Sequence, residues 1–284
     1  MDIKSLLEHG DTVPSLPNIY HQFQEAMADP NISFKEIGEI VLTDPSLTAR
    51  LLRIVNSAYF GFPDKIDNIS EAISVVGTNQ LSQLLLCTVV IDNFRSIPDS
   101  VFNMKTFWKH SIACGLIARE FASYDENLNS ENFFIAGMLH DIGQLIIFMQ
   151  LPELAMRFLL EASEQSKPNY VLEHEELGFD HAELGGSLLE KWNLSEFLVT
   201  TSKYHHRPNQ TGQFITETSI VYLADILANT LNLGSKWIGE GSLPSLDREA
   251  WERVAMPHQI KLSDLKEKVS QPYNELVDMF FQSV

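Results

Sequence analysis

The stretch Ala136-Gly-Met-Leu-His-Asp-Ile-Gly-Gln-Leu145 places an imidazole and a carboxylate side by side in a run that is otherwise almost wholly apolar. Burying both groups costs several kcal/mol unless each finds a partner. A metal ion would satisfy His140 and Asp141 at the same time. Such a site would require further ligands from other parts of the chain.

The composition indicates a globular protein. The chain has 284 residues, of which 44% are hydrophobic and 20% are charged, which suits one large domain or two small ones. No apolar run reaches the ~18 residues that a membrane-spanning helix requires. The N-terminal sequence lacks the basic segment and apolar core of a signal peptide. We therefore expect a cytoplasmic protein with no membrane contact.

The charge argues against one class of partner. The chain has 20 Lys and Arg residues and 38 Asp and Glu residues, which give a net charge of -18. Affinity for duplex nucleic acid comes mainly from cations that neutralise phosphates, so we expect no duplex nucleic acid partner. A phosphate-bearing ligand would need a local positive charge, and a metal centre would supply it.

Cys87 and Cys114 are the only two cysteines. Both lie in apolar helical patterns, which favours small buried thiols over a disulfide. No Cys-x-x-Cys pair occurs, and on this ground a thiolate zinc site is excluded.

Nearly every segment has helical periodicity, and no convincing series of alternating strands occurs, so the sequence predicts an all-α fold. Ser33 and Glu36 form a predicted capping box, and Ser70 is a predicted cap. Helices are predicted over residues 19–27, 33–42, 46–56, 72–76, 79–91, 103–123, 130–149, 152–165, 170–176, 180–192, 195–205, 216–231, 247–255 and 262–282. The predicted division is an N-terminal helical subdomain, a helical bundle and a C-terminal extension, over residues 1–97, 98–232 and 233–284, with a boundary at Pro98-Asp99 and a linker over 232–246.

Three predicted helices carry a polar side chain on an otherwise apolar face. His110 shares its face with Phe107 and Cys114, and His181 and Asp225 occupy similar positions in their own helices. A single histidine of this kind is more often a core residue bonded to a carbonyl. A carboxylate on an inward face is much rarer.

Other histidines have an ordinary explanation when each is taken alone. His205-His206 would be an exposed or capping pair at a helix end, and His174 would belong to a solvated charged face. Taken together, seven groups favour a metal site: His110, His140, Asp141, His181, His205, His206 and Asp225. Imidazoles and carboxylates suit iron, manganese and zinc. Seven ligands are enough for two adjacent ions that share one carboxylate.

The order of these residues resembles that of the HD superfamily of metal-dependent phosphohydrolases. In this resemblance His110, the doublet His140-Asp141 and Asp225 match the ligands of one metal. His181, His205 and His206 match the additional histidines of the HD-GYP branch. The resemblance implies one or two divalent ions, with iron or manganese first and zinc, nickel or magnesium as alternatives.

The chain is more specifically similar to the HDOD family, the HD-related output domains of bacterial signalling proteins. The similarity covers about residues 13–230 and rests on Leu16-Pro17, Asp44-Pro-Ser-Leu47, Asn56-Ser57, Ile69–Gly77, Gly137–Gly143, Asp180–Gly185, Trp192 and His205–Pro208. It implies an N-terminal helical subdomain packed on an HD-type bundle. It implies no fixed activity, because many members are non-catalytic signalling or scaffold modules.

The sequence departs from the active HD-GYP pattern in two places. Gln144 stands where those enzymes have a lysine, and Arg207-Pro-Asn-Gln-Thr-Gly212 replaces their Gly-Tyr-Pro loop. Both differences argue against hydrolysis of cyclic di-GMP.

Three hypotheses follow. The first is a signalling module whose site holds a structural metal, or a nucleotide or phosphodiester that it does not hydrolyse. Its N-terminal loop Tyr59-Phe60-Gly61-Phe62 would present a surface to a protein partner, and packing of these aromatic rings within the loop itself is an equal alternative. The alternative is a metal-dependent phosphohydrolase, in which Asp141 bridges two ions and takes part in catalysis, Arg207 contacts phosphate, and a metal-activated water attacks phosphorus. The third is a buried hydrogen-bonded network without metal.

Overall fold

The computed structural model describes residues 2–8, 13–95, 97, 103–231, 233, 246–256 and 258–281. Among these residues all regular structure is helical and no strand occurs, which confirms the all-α prediction. The predicted boundary at Pro98-Asp99 and most of the predicted linker over 232–246 lie outside the described residues.

Apart from the first helix, which was not predicted, most helices begin and end close to the predicted residues. In chain order they are α1 (Ile3–Glu8), α2 (Asn18–Met27), α3 (Phe34–Leu42), α4 (Pro45–Val55), α5 (Ile69–Val76), α6 (Thr78–Asn93), α7 (Met104–Ala122), α8 (Ser130–Leu139), α9 (Ile142–Gln150), α10 (Pro152–Gln165), α11 (Asn169–Leu177), α12 (His181–Lys191), α13 (Glu196–Tyr204), α14 (Ile215–Thr230), α15 (Arg248–Val254) and α16 (Leu262–Phe281). A short 3-10 turn, Pro208–Gln210, follows α13.

The chain forms two compact units, and each takes residues from two parts of the sequence. The larger unit consists of Met1–Pro14 and Arg95–Val269, and the smaller unit of Ser15–Phe94 and Ser270–Val284. The predicted domains differ from this division at both ends of the chain. The prediction assigned the first 14 residues to the N-terminal subdomain, whereas they belong to the larger unit, and it made residues 233–284 a separate extension, whereas they are divided between the two units.

Polar contacts account for both differences. In the larger unit, Gln150 Nε2 donates a hydrogen bond to Leu6 O over 2.7 Å, and Trp192 Nε1 donates to Pro14 O over 3.0 Å. In the smaller unit, the backbone N–H of Ala58 donates to the Glu275 carboxylate over 2.6 Å. Contacts between residues so distant in the sequence leave no periodic signal.

Capping residues set the starts of the helices in the smaller unit. The predicted capping box is confirmed: Ser33 Oγ accepts from Glu36 N over 3.2 Å, and the Glu36 carboxylate accepts from Ser33 N over 2.9 Å. The prediction that Ser70 caps α5 is wrong. Asn68 Oδ1 is the cap and accepts from Glu71 N over 2.8 Å, because the helix begins earlier than its apolar pattern suggests.

The helix predicted over residues 130–149 is in fact two helices, α8 and α9, and the break falls at His140 and Asp141. The backbone of Asp141 has φ -98° and ψ 9°, outside the α-helical region. The carbonyl oxygen of His140 instead accepts a hydrogen bond from Ser202 Oγ of α13 over 3.0 Å. His140 and Asp141 therefore lie at a junction between two helices.

Two glycines allow neighbouring helices to approach this junction. A Cβ atom added to Gly137 of α8 would lie 2.5 Å from the backbone nitrogen of Gly115 in α7. A Cβ atom added to Gly143 of α9 would lie 2.0 Å from the carbonyl oxygen of His181 in α12. Only glycine fits at such distances. The close contacts bring α7 and α12 against the two sides of the His140-Asp141 junction.

In the described part of the chain, one helical segment is long and apolar enough to cross a membrane, namely Ser130–Gln150 with a mean hydropathy of 1.4. Of the most apolar 18 residues of this segment, 89% are buried in the fold. Helices α5 and α6 are long and apolar enough to cross a membrane only if they are taken as one segment, and they are bent by 118° at the break between them. The sequence prediction of no such segment counted only uninterrupted apolar runs. Ser130–Gln150 reaches a high mean hydropathy although polar residues such as His140 and Asp141 interrupt it.

Candidate metal centre

Four buried side chains form the first group of ligand atoms, namely His110, Cys114, His140 and Asp225. His110 and Cys114 lie one turn apart on α7, and Asp225 comes from α14. The Nε2 atom of His110 lies 3.1 Å from Asp225 Oδ1 and 3.2 Å from Cys114 Sγ. His140 Nε2 lies 3.8 Å from the same Asp225 oxygen. One ligand atom from each of the four residues lies within 4.8 Å of all the others.

A second group consists of Asp141, His181, His205 and His206. Asp141 Oδ1 lies 3.1 Å from His181 Nε2 and 3.3 Å from His205 Nε2. The Nε2 atoms of His181 and His206 are 2.9 Å apart. These atoms again lie within 4.8 Å of one another. The group offers three imidazoles and one carboxylate to a single ion.

The carboxylate of Asp141 faces both groups. Its Oδ2 atom lies 3.3 Å from His140 Nε2, while Oδ1 faces His181 and His205. This is the arrangement that a carboxylate shared by two ions requires. All seven side chains predicted as ligands lie in the two groups, and their assignment to individual ions stays a prediction.

Backbone carbonyls orient two of the imidazoles. The Nδ1 atom of His140 donates to Gly137 O over 2.7 Å, and Nδ1 of His205 donates to Ser202 O over 2.7 Å. Because a carbonyl oxygen can only accept, Nδ1 carries a hydrogen in both rings. Each neutral ring therefore offers the lone pair of Nε2 to the site, which is the usual arrangement of a ligating histidine.

A buried carboxylate orients His181. The Nδ1 atom of His181 donates to Glu173 Oε2 over 2.6 Å, and its backbone N–H donates to the same oxygen over 2.7 Å. The other Glu173 oxygen accepts from Asn169 Nδ2 over 2.7 Å. Glu173 is only 1% exposed. A carboxylate behind a histidine is typical of metal sites, where it fixes the ring and makes the other nitrogen more basic.

Three polar atoms in this region are buried and have no hydrogen-bond partner within the described residues, namely His140 Nε2, Asp141 Oδ1 and His205 Nε2. Each unpaired buried polar atom costs about 1–3 kcal/mol. Asp141 Oδ1 and His205 Nε2 face each other at 3.3 Å, and His140 Nε2 lies 3.3 Å from the other oxygen of the same carboxylate. Divalent cations between them would satisfy all three at once, so these residues fit a metal centre.

Burial and neighbouring charges shift the pKa values of His140 and His206 in opposite directions. Burial lowers the pKa of His140, but the carboxylates of Asp141 and Asp225 outweigh this effect and raise it to about 10. Burial and the neighbouring His205 instead hold the pKa of His206 well below its usual range. Without a metal, a proton on His140 therefore neutralises carboxylate charge. That proton is the one that a bound cation would replace.

Comparison with known proteins identifies the family. A family model described as the HDOD domain matches residues 13–208. The chain belongs to the HDOD family. The matched region of this HDOD chain contains the histidines of both groups together with Asp141, whereas Asp225 lies beyond it.

A curated relative and several solved structures resemble this HDOD chain. An uncharacterised protein of Treponema pallidum is 28% identical over 231 residues, which are 80% of this chain and 44% of the relative. The chain thus spans less than half the length of that relative. An HDOD domain protein of unknown function from Geobacter sulfurreducens has a TM-score of 0.80 at 23% identity, with 99% of this chain and 97% of the other covered.

Two further solved structures carry provisional functional names. A Shewanella amazonensis protein, provisionally named a phosphohydrolase, has a TM-score of 0.75 at 23% identity, with 97% of each chain covered. A Marinobacter aquaeolei protein, provisionally named a signal transduction protein, has a TM-score of 0.76 at 18% identity, with 99% of this chain and 62% of the other covered. At these identities the likeness shows that the HDOD fold is shared.

The residue predicted to contact phosphate, Arg207, lies beside the second group in an ion pair. Its Nη2 atom donates to Asp180 Oδ2 over 2.5 Å, and Asp180 caps α12, the helix that begins with His181. Arg207 thereby helps to fix the start of that helix, and its phosphate contact stays a prediction. The ring of Tyr170 stacks on His206 with centroids 4.1 Å apart and an interplanar angle of 19°.

Sequence reasoning missed two residues of this HDOD site. Glu173 stands next to His174, which was predicted to belong to a charged face in contact with solvent, but Glu173 is buried whereas His174 and Glu175 are exposed. Neither Cys87 nor Cys114 forms a disulfide and both are buried, as predicted, but Cys114 also lies in one group with three of the predicted ligands. Its spacing of four residues from His110 was the available signal. The exclusion of a thiolate site considered only paired cysteines and does not apply to one thiolate among histidines.

Proposed function

We propose that this chain is an HDOD signalling module that holds two divalent ions in its helical bundle and uses them to bind a phosphate-bearing ligand such as a nucleotide or phosphodiester. The observation that carries the proposal is the group of buried, unpartnered atoms around Asp141, of which Oδ1 and His205 Nε2 are 3.3 Å apart. The provisional signal transduction name of the Marinobacter protein is in line with it.

The charges support metal-mediated binding of an anion. A chain with a net charge of -18 repels phosphates in general, so affinity must come from a local positive charge. Two divalent ions would add four positive charges to a site that contains the carboxylates of Asp141 and Asp225. The half-buried ring of Tyr170, stacked on His206, would offer a flat surface beside the ions.

Two side chains favour retention of the ligand over rapid turnover. Gln144 is uncharged and 5% exposed, and its Oε1 atom has no hydrogen-bond partner within the described residues. Gln144 lies three residues after Asp141 and is therefore on the same side of α9 as Asp141. The guanidinium of Arg207 is already paired with Asp180. Neither side chain supplies a free cation for the charge that develops during phosphoryl transfer.

Hydrolysis of phosphodiesters is the second candidate, and the position of the Asp141 carboxylate between two groups favours it. Two divalent ions roughly 3.5–4 Å apart would lower the pKa of a water between them and polarise phosphoryl oxygens. The provisional phosphohydrolase name of the Shewanella protein is in line with this candidate. Asp141 would then hold both ions in register.

One sample tests both candidates. We expect elemental analysis of protein purified without chelators to give two divalent ions per chain, and equilibrium dialysis to show metal-dependent nucleotide binding. The same preparation is then assayed for turnover of generic phosphodiesters. His21 is an exposed histidine of the smaller unit and serves as the control. Turnover that is lost in His140→Ala and retained in His21→Ala would favour phosphodiester hydrolysis over ligand binding alone. Metal-free protein that binds no added ion would exclude both candidates.

We also propose that the smaller unit contacts a protein partner through Phe60 and Phe62. Tyr59 of the same loop is only 5% exposed, so it serves the core. The rings of Phe60 and Phe62 stack on each other with centroids 5.8 Å apart and remain half-buried. A partner identified by crosslinking should lose affinity on Phe60→Ala or Phe62→Ala but keep it on Phe34→Ala, which removes an exposed phenyl ring elsewhere. Equal affinity in all three variants would contradict this surface.

A further inference from the structure

We propose that Cys114 is a thiolate ligand to the ion held by His110, His140 and Asp225, and that this ion is zinc, iron or cobalt rather than magnesium or manganese. The inference rests on the proposed metal binding and deepens it by naming the class of ion. Cys114 lies in the interior of the larger unit and is 0% exposed.

The distances in the first group are close to those between ligands of one ion: two are slightly shorter, and the 3.8 Å between His140 Nε2 and Asp225 Oδ1 is slightly longer. Zinc–sulfur and zinc–nitrogen bonds of about 2.3 and 2.0–2.1 Å in a tetrahedron place neighbouring ligand atoms about 3.3–3.6 Å apart. Cys114 Sγ and His110 Nε2 are 3.2 Å apart, and His110 Nε2 and Asp225 Oδ1 are 3.1 Å apart. The thiol is thus as close to His110 as the carboxylate is.

A second, independent observation is the orphaned nitrogen of His140. This ring is fully buried, its Nδ1 is held by Gly137 O, and its Nε2 has no hydrogen-bond partner in the described part of the chain. That nitrogen belongs to the same set of four atoms, all within 4.8 Å of one another, as the Cys114 sulfur. A cation among these atoms would pair the nitrogen that the protein leaves unpaired.

The packing of α7 holds the thiol in this position. Gly137 of α8 lies so close to α7 that an added Cβ atom would be 2.6 Å from the backbone carbon of Cys114. The helix that ends beside His140 therefore packs directly against the turn that carries the cysteine. The side chain of Cys114 also lies one helical turn from His110, a spacing that places both on one face.

Cys87 shows what an inert thiol looks like in the same protein. It is 0% exposed in α6 of the smaller unit, and burial raises its pKa to about 12. No group of potential metal ligands in the described residues contains it. The two cysteines are equally buried and differ in their neighbours, so Cys87 is a matched control for Cys114.

The thiolate determines which ions the first group prefers. Sulfur is a soft ligand that suits zinc, iron and cobalt, whereas magnesium and manganese prefer oxygen. The second group offers only imidazoles and a carboxylate. The family resemblance implied one or two ions, with iron or manganese first. At the first group the thiolate disfavours manganese and leaves iron.

The test is a cobalt titration of the metal-free full-length chain, with binding followed by elemental analysis and by absorption. We expect a near-ultraviolet sulfur-to-cobalt charge-transfer band that saturates with one equivalent. The band should disappear in Cys114→Ser and remain in Cys87→Ser. Stoichiometric cobalt binding without the band, or a band that survives Cys114→Ser, would overturn the inference and leave the proposed metal binding intact. Failure to bind any cobalt or zinc would overturn both.

A second measurement does not depend on the folding of Cys114→Ser. Zinc-edge X-ray absorption of Cys87→Ser protein, whose single remaining cysteine is Cys114, should show a sulfur neighbour at about 2.3 Å. A first shell made only of nitrogen and oxygen would exclude the thiolate ligand. Competition completes the test: a tenfold excess of manganese or magnesium should leave the cobalt band unchanged.

Discussion

Asp141 Oδ1 lies 3.1 Å from Nε2 of His181, although the two residues are 40 positions apart and stand at the starts of two different helices, α9 and α12. The other oxygen of the same carboxylate faces His140. This relationship joins the two groups into one centre. The local cause is the break between α8 and α9 and the glycine contact that holds α9 against α12.

The first prediction concerns the shared carboxylate. Asp141→Asn keeps the size of the side chain but removes the charge and one acceptor oxygen, so we expect the metal content to fall from two ions per chain to fewer than one. Asp225→Asn should instead remove only the ion of the first group. Elemental analysis after dialysis distinguishes the variants. Equal loss in both would mean that Asp141 is not shared.

The second prediction concerns the residue behind His181. Glu173→Gln keeps an acceptor for Nδ1 but removes the charge, and such changes typically weaken metal affinity by about 10–100-fold. We expect a loss of this size at the second group and none at the first. Competition with a fluorescent chelator provides the measurement.

The control for Glu173 is Glu175→Gln, because Glu175 is exposed and pairs with Lys167 at the surface. Wild-type affinity in the Glu173 variant would show that its carboxylate serves packing alone.

The third prediction concerns the close contact at Gly143. Glycine to alanine in a helix usually stabilises by up to about 1 kcal/mol. Here the added methyl group would meet His181 O at 2.0 Å, so we expect Gly143→Ala to destabilise by about 2–3 kcal/mol and to lower the Tm by roughly 5–10 °C. Gly212→Ala, with open space around the added atom, should leave the Tm within about 1 °C of wild type. Similar melting of all three proteins would contradict the contact.

The fourth prediction concerns protons. The pKa of His140 is raised from 6.5 to about 10 in the metal-free fold by Asp141 and Asp225, which outweigh burial. A raised pKa stabilises the fold fully below the unfolded value and no longer above the folded one. Metal-free protein should therefore lose stability as pH rises from about 6.5 to 10, and thermal melts across this range measure it.

Metal binding should displace the same proton. We expect calorimetric titrations at pH 7.5 in buffers of different ionisation enthalpy to show release of at least one proton per chain, because a ligating nitrogen cannot keep its hydrogen. Affinity should fall as pH is lowered. Heats that do not depend on the buffer would show that the ion does not bind His140.

Much of this fold was predictable because helices leave local signals. The limits of α3 and α10 follow from caps, prolines and apolar spacing. The break at His140-Asp141 was not predictable, since no proline and no capping pattern marks it in the sequence, and the carbonyl oxygen of His140 is bonded to Ser202, a residue 62 positions further along. Tertiary contacts override local propensity at that point.

The site shows the same limit. Chemical type and order were enough to single out seven side chains that the structure brings together, and their role as ligands stays a prediction. Glu173 was missed because its neighbours are charged and its burial depends on His181, eight positions away in the next helix. Cys114 was missed because a lone buried thiol is usually inert. Its role depends on Asp225, a residue that only the packing of α7 against α14 brings near.

The most direct test of the central claim is anomalous diffraction from crystals grown with zinc or cobalt. We expect two anomalous peaks in the larger unit, roughly 3.5–4 Å apart and flanking the Asp141 carboxylate, one beside His110 and the other beside His206. No peak at this position, with the imidazoles hydrogen-bonded directly to Asp141 and Asp225, would contradict it.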